Sequence, residues 1–541
     1  MRRWLHVCRT EHEKCNSDLD RLRQFTLPKR LLLVEVSEQA PDTITLIDSN
    51  SLKQSIRYAT LSHAWGNVRR CRLLKNNLKT YERGIVTADL PLTFREAIEV
   101  CQTLGVAYLW IDSLCIIQDS DADWTAEAPR MADIYSNAFL TIAATASVDD
   151  EGGLFRSPNP QEAMPLLVTA HRGSKHQTSY HLHYEDDFQE NVDAAPLNRR
   201  AWVLQERYLA ARTVHFAENQ IYWQCPSALM SASDNTNTLV NYRDIYNFNS
   251  IESSTENLTL CVLENWTTIV EAYSQCKLTR PSDKLVAMSG LARRAHEMLR
   301  CAPGDYLGGL WRQELPENLL WSAVDGVKAD PYRAPSWCWT SLDGQIHCSD
   351  HPSGRTSMVE VLNASVHPVG DPFSAVDSAS LLLRGRLCNV ILPKQLGAVA
   401  FTKHSPASAV VKNVIGQTGQ AQVVVDGKAK LLPAGTFTTL FDHSRPLDSN
   451  ADADPVICFL PIVDDDNADA TDDNEKDSAI LAGLMLEPTG QKRGQFHRVG
   501  QLTFDTRTAC NILRIAFGGQ DIPEGLYQDL DGDDWYTIEI V

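Results

Sequence analysis

Fully apolar segments alternate with amphipathic ones between residues 57 and 147, and this alternation constrains the fold more than any other sequence feature. Residues 58–63 (YATLSH), 106–111 (VAYLWI) and 139–144 (FLTIAA) each predict a short strand. Strands that are apolar on both faces and separated by helices are typical of parallel sheets. We therefore predict an α/β fold built on a parallel sheet with helices on both faces.

The helix between the first two strands has clear boundaries in the sequence. Residues 93–104 repeat apolar side chains at helical spacing, and Gly105 suits a helix stop. Thr93 and Glu96 have the spacing of a capping box. A second helix is predicted from near Pro129, since proline fits a first helical turn.

The carboxyl ends of parallel strands meet at one edge of a sheet, where α/β proteins bind their ligands. The sequence places several side chains that bind ligands or permit close approach at that edge. They are Ser62, His63, Trp65 and Gly66 after the first strand, Asp112 and Ser113 after the second, and Ser147 after the third.

The rest of the chain divides by composition into further regions. Residues 1–45 form an N-terminal extension and residues 46–225 hold the α/β domain. Residues 226–345 form a mainly helical region that completes the core. A β-rich C-terminal domain follows over residues 346–541, with an acidic disordered loop at 464–477.

Charge and hydropathy exclude several classes of protein. The net charge of −19 opposes nucleic-acid binding, and the short basic clusters at 69–72 and 199–200 are interpreted as solvated surface. No apolar run reaches the roughly 20 residues that a membrane span needs. No secretory signal is recognised at the N-terminus, so we expect a cytoplasmic protein with reduced cysteines.

Four ordered motifs resemble those of the fungal heterokaryon incompatibility (HET) domain. They are residues 58–66 (YATLSHAWG), residues 109–118 (LWIDSLCIIQ), Asp123-Trp124 followed by residues 131–138 (MADIYSNA), and residues 200–207 (RAWVLQER). The chain departs from the family pattern at His63, where tyrosine is usual, at Ala201, where glycine is usual, and at Ile117, where a polar residue is common. A histidine base at position 63 is therefore not implied by the resemblance.

The resemblance implies a self/non-self recognition and cell-death effector of filamentous fungi. A remote likeness between HET and Toll/interleukin receptor (TIR) domains has been proposed, and some TIR-type domains cleave NAD with a glutamate in a W-x-x-x-E setting. Trp202 and Glu206 have that spacing. By this analogy of fold, Glu206 is the candidate catalytic residue and NAD the candidate substrate, while no cofactor is assigned. Ser62, Trp65, Gly66, Asp112, Ser113 and Trp202 are the candidate ligand-binding residues.

Each of these residues also has a structural interpretation. Glu206 has the alternative of a salt bridge with Arg207 or Arg200, and Asp112 that of capping a loop or turn. Trp65 and Gly66 fit either a ligand-stacking site or a strand exit. Core packing is the expectation for Trp110.

Cysteine chemistry is considered at two places. Cys115 with His63 as base lacks a third, orienting group, so a buried structural cysteine is expected. Cys8, His12 and Cys15 have side chains that suit zinc, but structural zinc needs four ligands and no fourth is near in sequence. The other interpretation is one helical face of half-buried side chains, and no metal is assigned.

Two functions of different classes follow from the sequence. The first is an effector enzyme that hydrolyses NAD. The second is a non-enzymatic signalling module in which the same edge binds a protein partner or a second copy of the chain. No phosphate-binding glycine motif is present, which weakens any nucleotide triphosphatase or dehydrogenase interpretation.

Overall fold

The computed structural model describes most of the chain. The described residues are 1–15, 27–34, 42–52, 56–66, 71–157, 166–172, 176–182, 187–233, 257–348, 356–391, 422–425, 428–431, 437–442, 456–465, 478–517, 522–532 and 534–541. They divide into two compact units. Unit 1 comprises Met1–Ile269, Cys276–Thr279 and Val286–Leu299, and unit 2 comprises Val270–Gln275, Arg280–Leu285 and Arg300–Val541.

Unit 1 is organised around a nine-stranded sheet. Its strands are β1 (Arg30–Leu33), β2 (Thr43–Asp48), β3 (Tyr58–Ser62), β4 (Ile85–Val86), β5 (Tyr108–Trp110), β6 (Leu140–Ala143), β9 (Thr213–Phe216), β10 (Ile221–Cys225) and β11 (Ala228–Ser231), with β7 (Leu166–Arg172) and β8 (His176–Leu182) forming a separate hairpin. The order across the sheet is β11-β10-β9-β6-β3-β5-β1-β2-β4.

The sheet is mixed, which corrects the prediction of a parallel sheet. The four central strands β9, β6, β3 and β5 are parallel, whereas β1, β2 and β4 on one side and β10 and β11 on the other pair antiparallel. The prediction failed because β1 lies in the predicted N-terminal extension. Nothing in the sequence around β1 indicates that it pairs antiparallel with β5. The three strands predicted from the sequence are central, and their carboxyl ends share one edge.

The helices of unit 1 include α1 (Arg2–Thr10), α2 (Leu78–Tyr81), α3 (Leu92–Leu104), α4 (Asp112–Cys115), α5 (Asp121–Glu127), α6 (Met131–Ser136) and α7 (Ala201–Tyr208). The prediction of α3 and its stop is confirmed, since Gly105 takes the left-handed conformation at φ 70°. Its apolar face, including Phe94, Ala97 and Ile98, is buried in the main core. Helices α8 (Leu258–Ser274) and α9 (Lys284–Leu299) each contribute to both units.

The predicted capping box of α3 is wrong. The N-cap position is Pro91, and no side chain caps the helix. The Thr93 hydroxyl accepts the backbone N–H of Gly153 at 3.0 Å, and Glu96 accepts that of Phe155 at 2.9 Å. The backbone N–H of Thr93 also donates to the carbonyl of Asp150 at 3.0 Å. The start of α3 therefore holds the segment after β6 in place.

Unit 2 is mostly β-structure. Its strands are β12 (Trp321–Lys328), β13 (Leu342–Cys348), β14 (Thr356–Ser357), β15 (Val359–Pro368), β16 (Val376–Gly385), β17 (Cys388–Ile391), β18 (Gln422–Val425), β19 (Lys428–Leu431), β20 (Phe437–Phe441), β21 (Val456–Asp465), β22 (Ser478–Pro488), β23 (Gln495–Thr506), β24 (Asp529–Leu530) and β25 (Tyr536–Ile540). All but β12 and β13, which form a pair of their own, belong to a twelve-stranded sheet. Helix α10 (Arg507–Ala516) packs its apolar face into the core of that sheet.

The predictions for residues 226–345 and 464–477 can each be compared with the structure. The region 226–345, predicted to be mainly helical, holds α8 and α9 but also β11, β12 and the start of β13. Of the predicted disordered loop at 464–477, Asp464 and Asp465 belong to β21, and the remainder lies outside the described residues. Among the helices in the described part of the chain, none is long and apolar enough to cross a membrane.

Candidate functional site

The carboxyl edge of the central strands gathers a group of buried polar side chains. Ser62 ends β3 and His63 follows it. Asp112 begins α4, two residues after the end of β5, and Asp150 lies in the turn segment after β6. Glu206 reaches the same edge from α7. We call Ser62, His63, Asp112, Asp150 and Glu206 the acid cluster.

Ser62 and Glu206 are directly bonded. The Ser62 hydroxyl donates to Glu206 Oε2 at 2.5 Å, and the two residues are 3% and 5% exposed. Burial raises the pKa of Glu206 to about 7, against the opposing effects of the Arg200 guanidinium and of the Ser62 hydrogen bond. The carboxyl therefore exchanges its proton near neutral pH, which is the property required of a general acid or base.

Residues 62–66 are held against neighbouring segments by a hydrogen bond from the Trp65 ring and by close packing at Gly66. The indole N–H of Trp65 donates to Asp112 Oδ2 at 2.9 Å, and the other oxygen of Asp112 accepts the backbone N–H of Ser113 at 2.6 Å. Gly66 has φ 65°, and a Cβ atom there would lie 2.4 Å from Asp149 Cβ. Only glycine fits this position without displacing the segment that carries Asp150.

His63 lies between two carboxyl groups. Its Nε2 is 3.2 Å from Asp150 Oδ1, and its Nδ1 is 3.8 Å from Asp112 Oδ1. Burial lowers the pKa of His63 to about 4, although Asp112 favours the charged ring. Burial and the charge of Asp112 raise the pKa of Asp150 to about 7. At neutral pH the imidazole is uncharged, and the ionisation that occurs in this range belongs to the carboxyl groups.

Arg200 places a positive charge at the carboxyl edge of the sheet. It precedes α7, it is half-buried, and it donates a short hydrogen bond to the backbone carbonyl of His63. Its charge opposes the upward shift of the pKa values of both Glu206 and Asp150. Arg200 is therefore not the solvated surface residue that its basic cluster predicted.

The structure brings most of the predicted site residues together. Ser62, Trp65, Asp112, Ser113 and Glu206 lie at the carboxyl edge, and Gly66 supports it from the adjoining loop. Trp202 is half-buried on α7, one turn before Glu206, and packs against the main core. The buried hydroxyl oxygen of Ser113 has no hydrogen-bond partner.

Several alternative interpretations are resolved by the contacts. Of the two cations considered as salt-bridge partners of Glu206, Arg207 pairs with Asp193 at 2.6 Å, and it is the charge of Arg200 that acts on the Glu206 pKa. Trp110 is fully buried, as core packing requires. Cys115 is also buried, and its burial raises its pKa to about 12, which removes it as a nucleophile at neutral pH.

Sequence reasoning missed Asp150 and Tyr135 as members of this edge. Asp150 stands beyond the predicted third strand and outside the four motifs. The Tyr135 hydroxyl lies beside the Glu206 carboxyl and lowers its pKa. Tyr135 belongs to the motif at 131–138, but its approach to Glu206 and the approach of Asp150 to His63 depend on how α6 and the turn after β6 pack.

A second cluster in unit 1 contains possible metal ligands. The ligand atoms of Cys8, His12, Cys15 and Cys225 all lie within 4.8 Å of one another. Within the described part of the chain, this is the group of cysteine, histidine and carboxylate side chains that meets closely enough to hold a metal ion. The fourth member, Cys225, comes from the end of β10 and was not found from the sequence. We call these four residues the thiol cluster.

Part of the chain matches a known protein family. Residues 58–206 match the model of the family described as heterokaryon incompatibility protein (HET). No curated protein and no solved structure matches the chain. The matched segment contains all of the acid cluster, whereas the four members of the thiol cluster lie outside it, before residue 58 and after residue 206.

Proposed function

We propose that this chain is a cell-death effector of fungal self/non-self recognition. Its residues 58–206 form a heterokaryon incompatibility (HET) domain, which implies an incompatibility-related function. In this proposal the acid cluster is the active site, Glu206 is its catalytic carboxylate, and NAD is its substrate.

The proposal depends on one observation above all. Glu206 is a buried carboxyl at the carboxyl ends of parallel strands, and its pKa is raised to about 7. Open α/β sheets bind ligands at this edge, and strongly shifted pKa values concentrate at functional sites. Neighbouring Asp150 is shifted in the same direction, so the edge holds two carboxyls that titrate near neutral pH.

The chemistry of NAD hydrolysis suits a single carboxylate. When the bond between ribose and nicotinamide breaks, its electron pair neutralises the pyridinium nitrogen, so nicotinamide leaves without needing a proton. Positive charge develops on the ribose, and an ionised Glu206 stabilises it. Water then adds to the ribose carbon, and its proton passes to Glu206 and on to solvent. The products are nicotinamide, ADP-ribose and one proton.

The remaining edge residues have positioning roles in this scheme. Asp112 accepts one hydrogen bond on each oxygen, from Trp65 and from Ser113, so it orients the indole and keeps lone pairs that can accept ribose hydroxyls. Trp65 is partly exposed, and its ring is a candidate surface for stacking a base. The choice of NAD rests on the proposed likeness between HET and TIR domains and on the spacing of Trp202 and Glu206.

The test is nicotinamide release from NAD by the purified full-length protein. Glu206→Gln keeps a hydrogen-bonding side chain of equal size but removes the charge, and we expect turnover to fall by about 100-fold or more. Glu99→Gln, at an exposed position of α3, is the matched control and should retain full turnover. Equal loss in both variants, or undiminished turnover in Glu206→Gln, would contradict the role of Glu206.

A second candidate function is a non-enzymatic signalling module that acts by self-association or by binding a protein partner. The observation that favours it is the burial of Ser62 and Glu206, which satisfy each other and leave little of either side chain exposed. If the wild-type protein releases no nicotinamide at high concentration, while Glu206→Gln loses partner binding or self-association, this second function replaces the first.

A further inference from the structure

The thiol cluster joins segments that are far apart in sequence. Cys8 lies on α1, His12 follows the end of that helix, and Cys15 belongs to the next helical turn. Cys225 is the last residue of β10, more than 200 positions later. We propose that these four residues bind a structural Zn²⁺ ion that fastens the N-terminal segment to the sheet.

The distances between the ligand atoms fit a tetrahedral metal site. His12 Nδ1 lies 3.4 Å from Cys225 Sγ and 3.8 Å from Cys15 Sγ. A tetrahedral zinc with ordinary Zn–S and Zn–N bonds separates sulfur from nitrogen by about 3.6 Å, which is between these two values. All four ligand atoms lie within 4.8 Å of one another, so a small contraction places them around one ion.

A buried cation beside the cluster supplies a second, independent argument. Arg212 is fully buried, and its Nε donates to Cys8 Sγ at 3.2 Å. Its other hydrogen bonds go to the backbone carbonyls of Cys15 and Phe139, and among the described residues it pairs with no carboxylate. An isolated buried charge is strongly unfavourable, so Arg212 requires an anionic neighbour.

A zinc–thiolate centre is such a neighbour. Three thiolates, one neutral imidazole and a divalent ion leave one net negative charge, which the guanidinium of Arg212 balances. Ser227 adds a further contact, since its Oγ lies 3.4 Å from Cys15 Sγ. The hydrogen bonds to Cys8 and Cys15 are of the kind that orient first-sphere ligands around a metal.

The ligand set also selects the metal and its role. Three sulfurs and one nitrogen are the ligands of structural zinc sites, and four protein ligands leave no position for water or substrate. The proposed ion therefore does no chemistry. It connects the two stretches of chain that flank the HET match, and it closes a loop that encloses the whole domain.

The first test is the metal content of the full-length protein purified without chelators, measured by mass spectrometry of the elements. We expect about one zinc per chain. His12→Asn should lower the affinity for zinc, measured by competition with a coloured chelator, by at least about tenfold. His12→Cys should retain the metal because it provides a fourth thiolate. His6→Asn, at an exposed position of α1, is the matched control and should bind zinc as the wild type does.

The second test replaces zinc by Co²⁺, whose visible absorption reports coordination geometry. The spectrum of a tetrahedral sulfur-rich site is expected in the wild type and in His12→Cys, and its loss in His12→Asn. A wild-type protein that neither contains zinc nor takes it up under reducing conditions would overturn the proposal. So would full zinc binding by His12→Asn. A disulfide between two of the three cysteines, detected as two missing thiols by alkylation of the unfolded chain, would overturn it as well.

Discussion

The acid cluster and the thiol cluster are both buried in unit 1, but their surroundings affect charged side chains in opposite ways. In the acid cluster, the carboxyls of Asp150 and Glu206 lie in surroundings that disfavour their ionised forms and raise their pKa values to about 7. In the thiol cluster, the buried guanidinium of Arg212 already has a potentially anionic partner in Cys8. Ionisation is therefore electrostatically unfavourable in the acid cluster, whereas in the thiol cluster opposite charges are placed to neutralise each other.

Under the two proposals, this difference separates a site that does chemistry from one that adds stability. Carboxyl groups whose pKa values are raised by burial are unfavourable for folding when ionised, yet useful for moving protons or stabilising a transition state. A saturated metal site has the reverse character, since metal binding adds directly to folding stability. The same kind of substitution, removal of one charged or charge-forming side chain, should therefore change stability in opposite directions at the two places.

The largest effect is expected at the thiol cluster. Cys225→Ser removes one proposed zinc ligand, so the thermal unfolding midpoint of the protein should fall well below that of the wild type. Addition of a strong chelator to the wild type should produce a similar decrease. Cys261→Ser, at a half-buried cysteine of α8, is the control and should leave the midpoint nearly unchanged. Equal midpoints for both serine variants would remove the distinction between the clusters.

The next effect concerns the loop that supports the acid cluster. Gly66 and Gly105 have nearly the same φ, 65° and 70°, but only Gly66 has a neighbour that a Cβ would overlap. Gly105→Ala should lower the free energy of unfolding by about 1–2 kcal/mol, the strain of the left-handed conformation alone. Gly66→Ala should lower it by roughly 1–3 kcal/mol more, because Asp149 must move. Denaturant titration of both variants measures the difference. Equal losses would mean that this loop tolerates displacement.

The smallest expected change is a gain in stability at the acid cluster. Above pH 7 the folded protein holds an ionised Glu206 that burial disfavours, whereas the unfolded chain ionises the same group freely above its ordinary pKa of 4.5. Glu206→Gln should therefore raise the free energy of unfolding at pH 8, by up to about 3 kcal/mol. The gain should shrink as the pH falls from 7 toward 4.5 and should vanish below 4.5, where both states of the wild type are protonated.

The same titration curve for Glu99→Gln provides the reference, because Glu99 is exposed. A loss of stability in Glu206→Gln at pH 8 would indicate that the carboxylate contributes to folding. The acid cluster would then resemble the thiol cluster, and the comparison between them would fail.

Local patterns in the sequence predicted the elements that carry the acid cluster. The apolar runs at 58–63 and 106–111 became β3 and β5, and the helical repeat ending at Gly105 became α3. The polar residues that follow those strands lie at one edge because parallel strands share a direction. Ser62 and Glu206 were both singled out, and the structure places them 2.5 Å apart.

Long-range contacts were beyond the reach of those patterns. The antiparallel position of β1 beside β5, the approach of Asp150 to His63, and the arrival of Cys225 at the thiol cluster each join segments far apart in sequence. Thr93 and Glu96 show the same limit, because their spacing matched a helix cap while their hydrogen bonds go to the segment after β6. Periodicity reports which face of an element is buried, not which distant segment covers it.

The ionisation of Glu206 itself tests the central claim most directly. Nuclear magnetic resonance of full-length protein with ¹³C-labelled glutamate, compared with Glu206→Gln, isolates the signal of this one carboxyl during a pH titration. We predict a midpoint near pH 7, because burial and the charge of Asp112 disfavour the ionised carboxyl. A midpoint at or below the ordinary value of 4.5 would show a stabilised structural carboxylate, and it would contradict the assignment of Glu206 as the catalytic group.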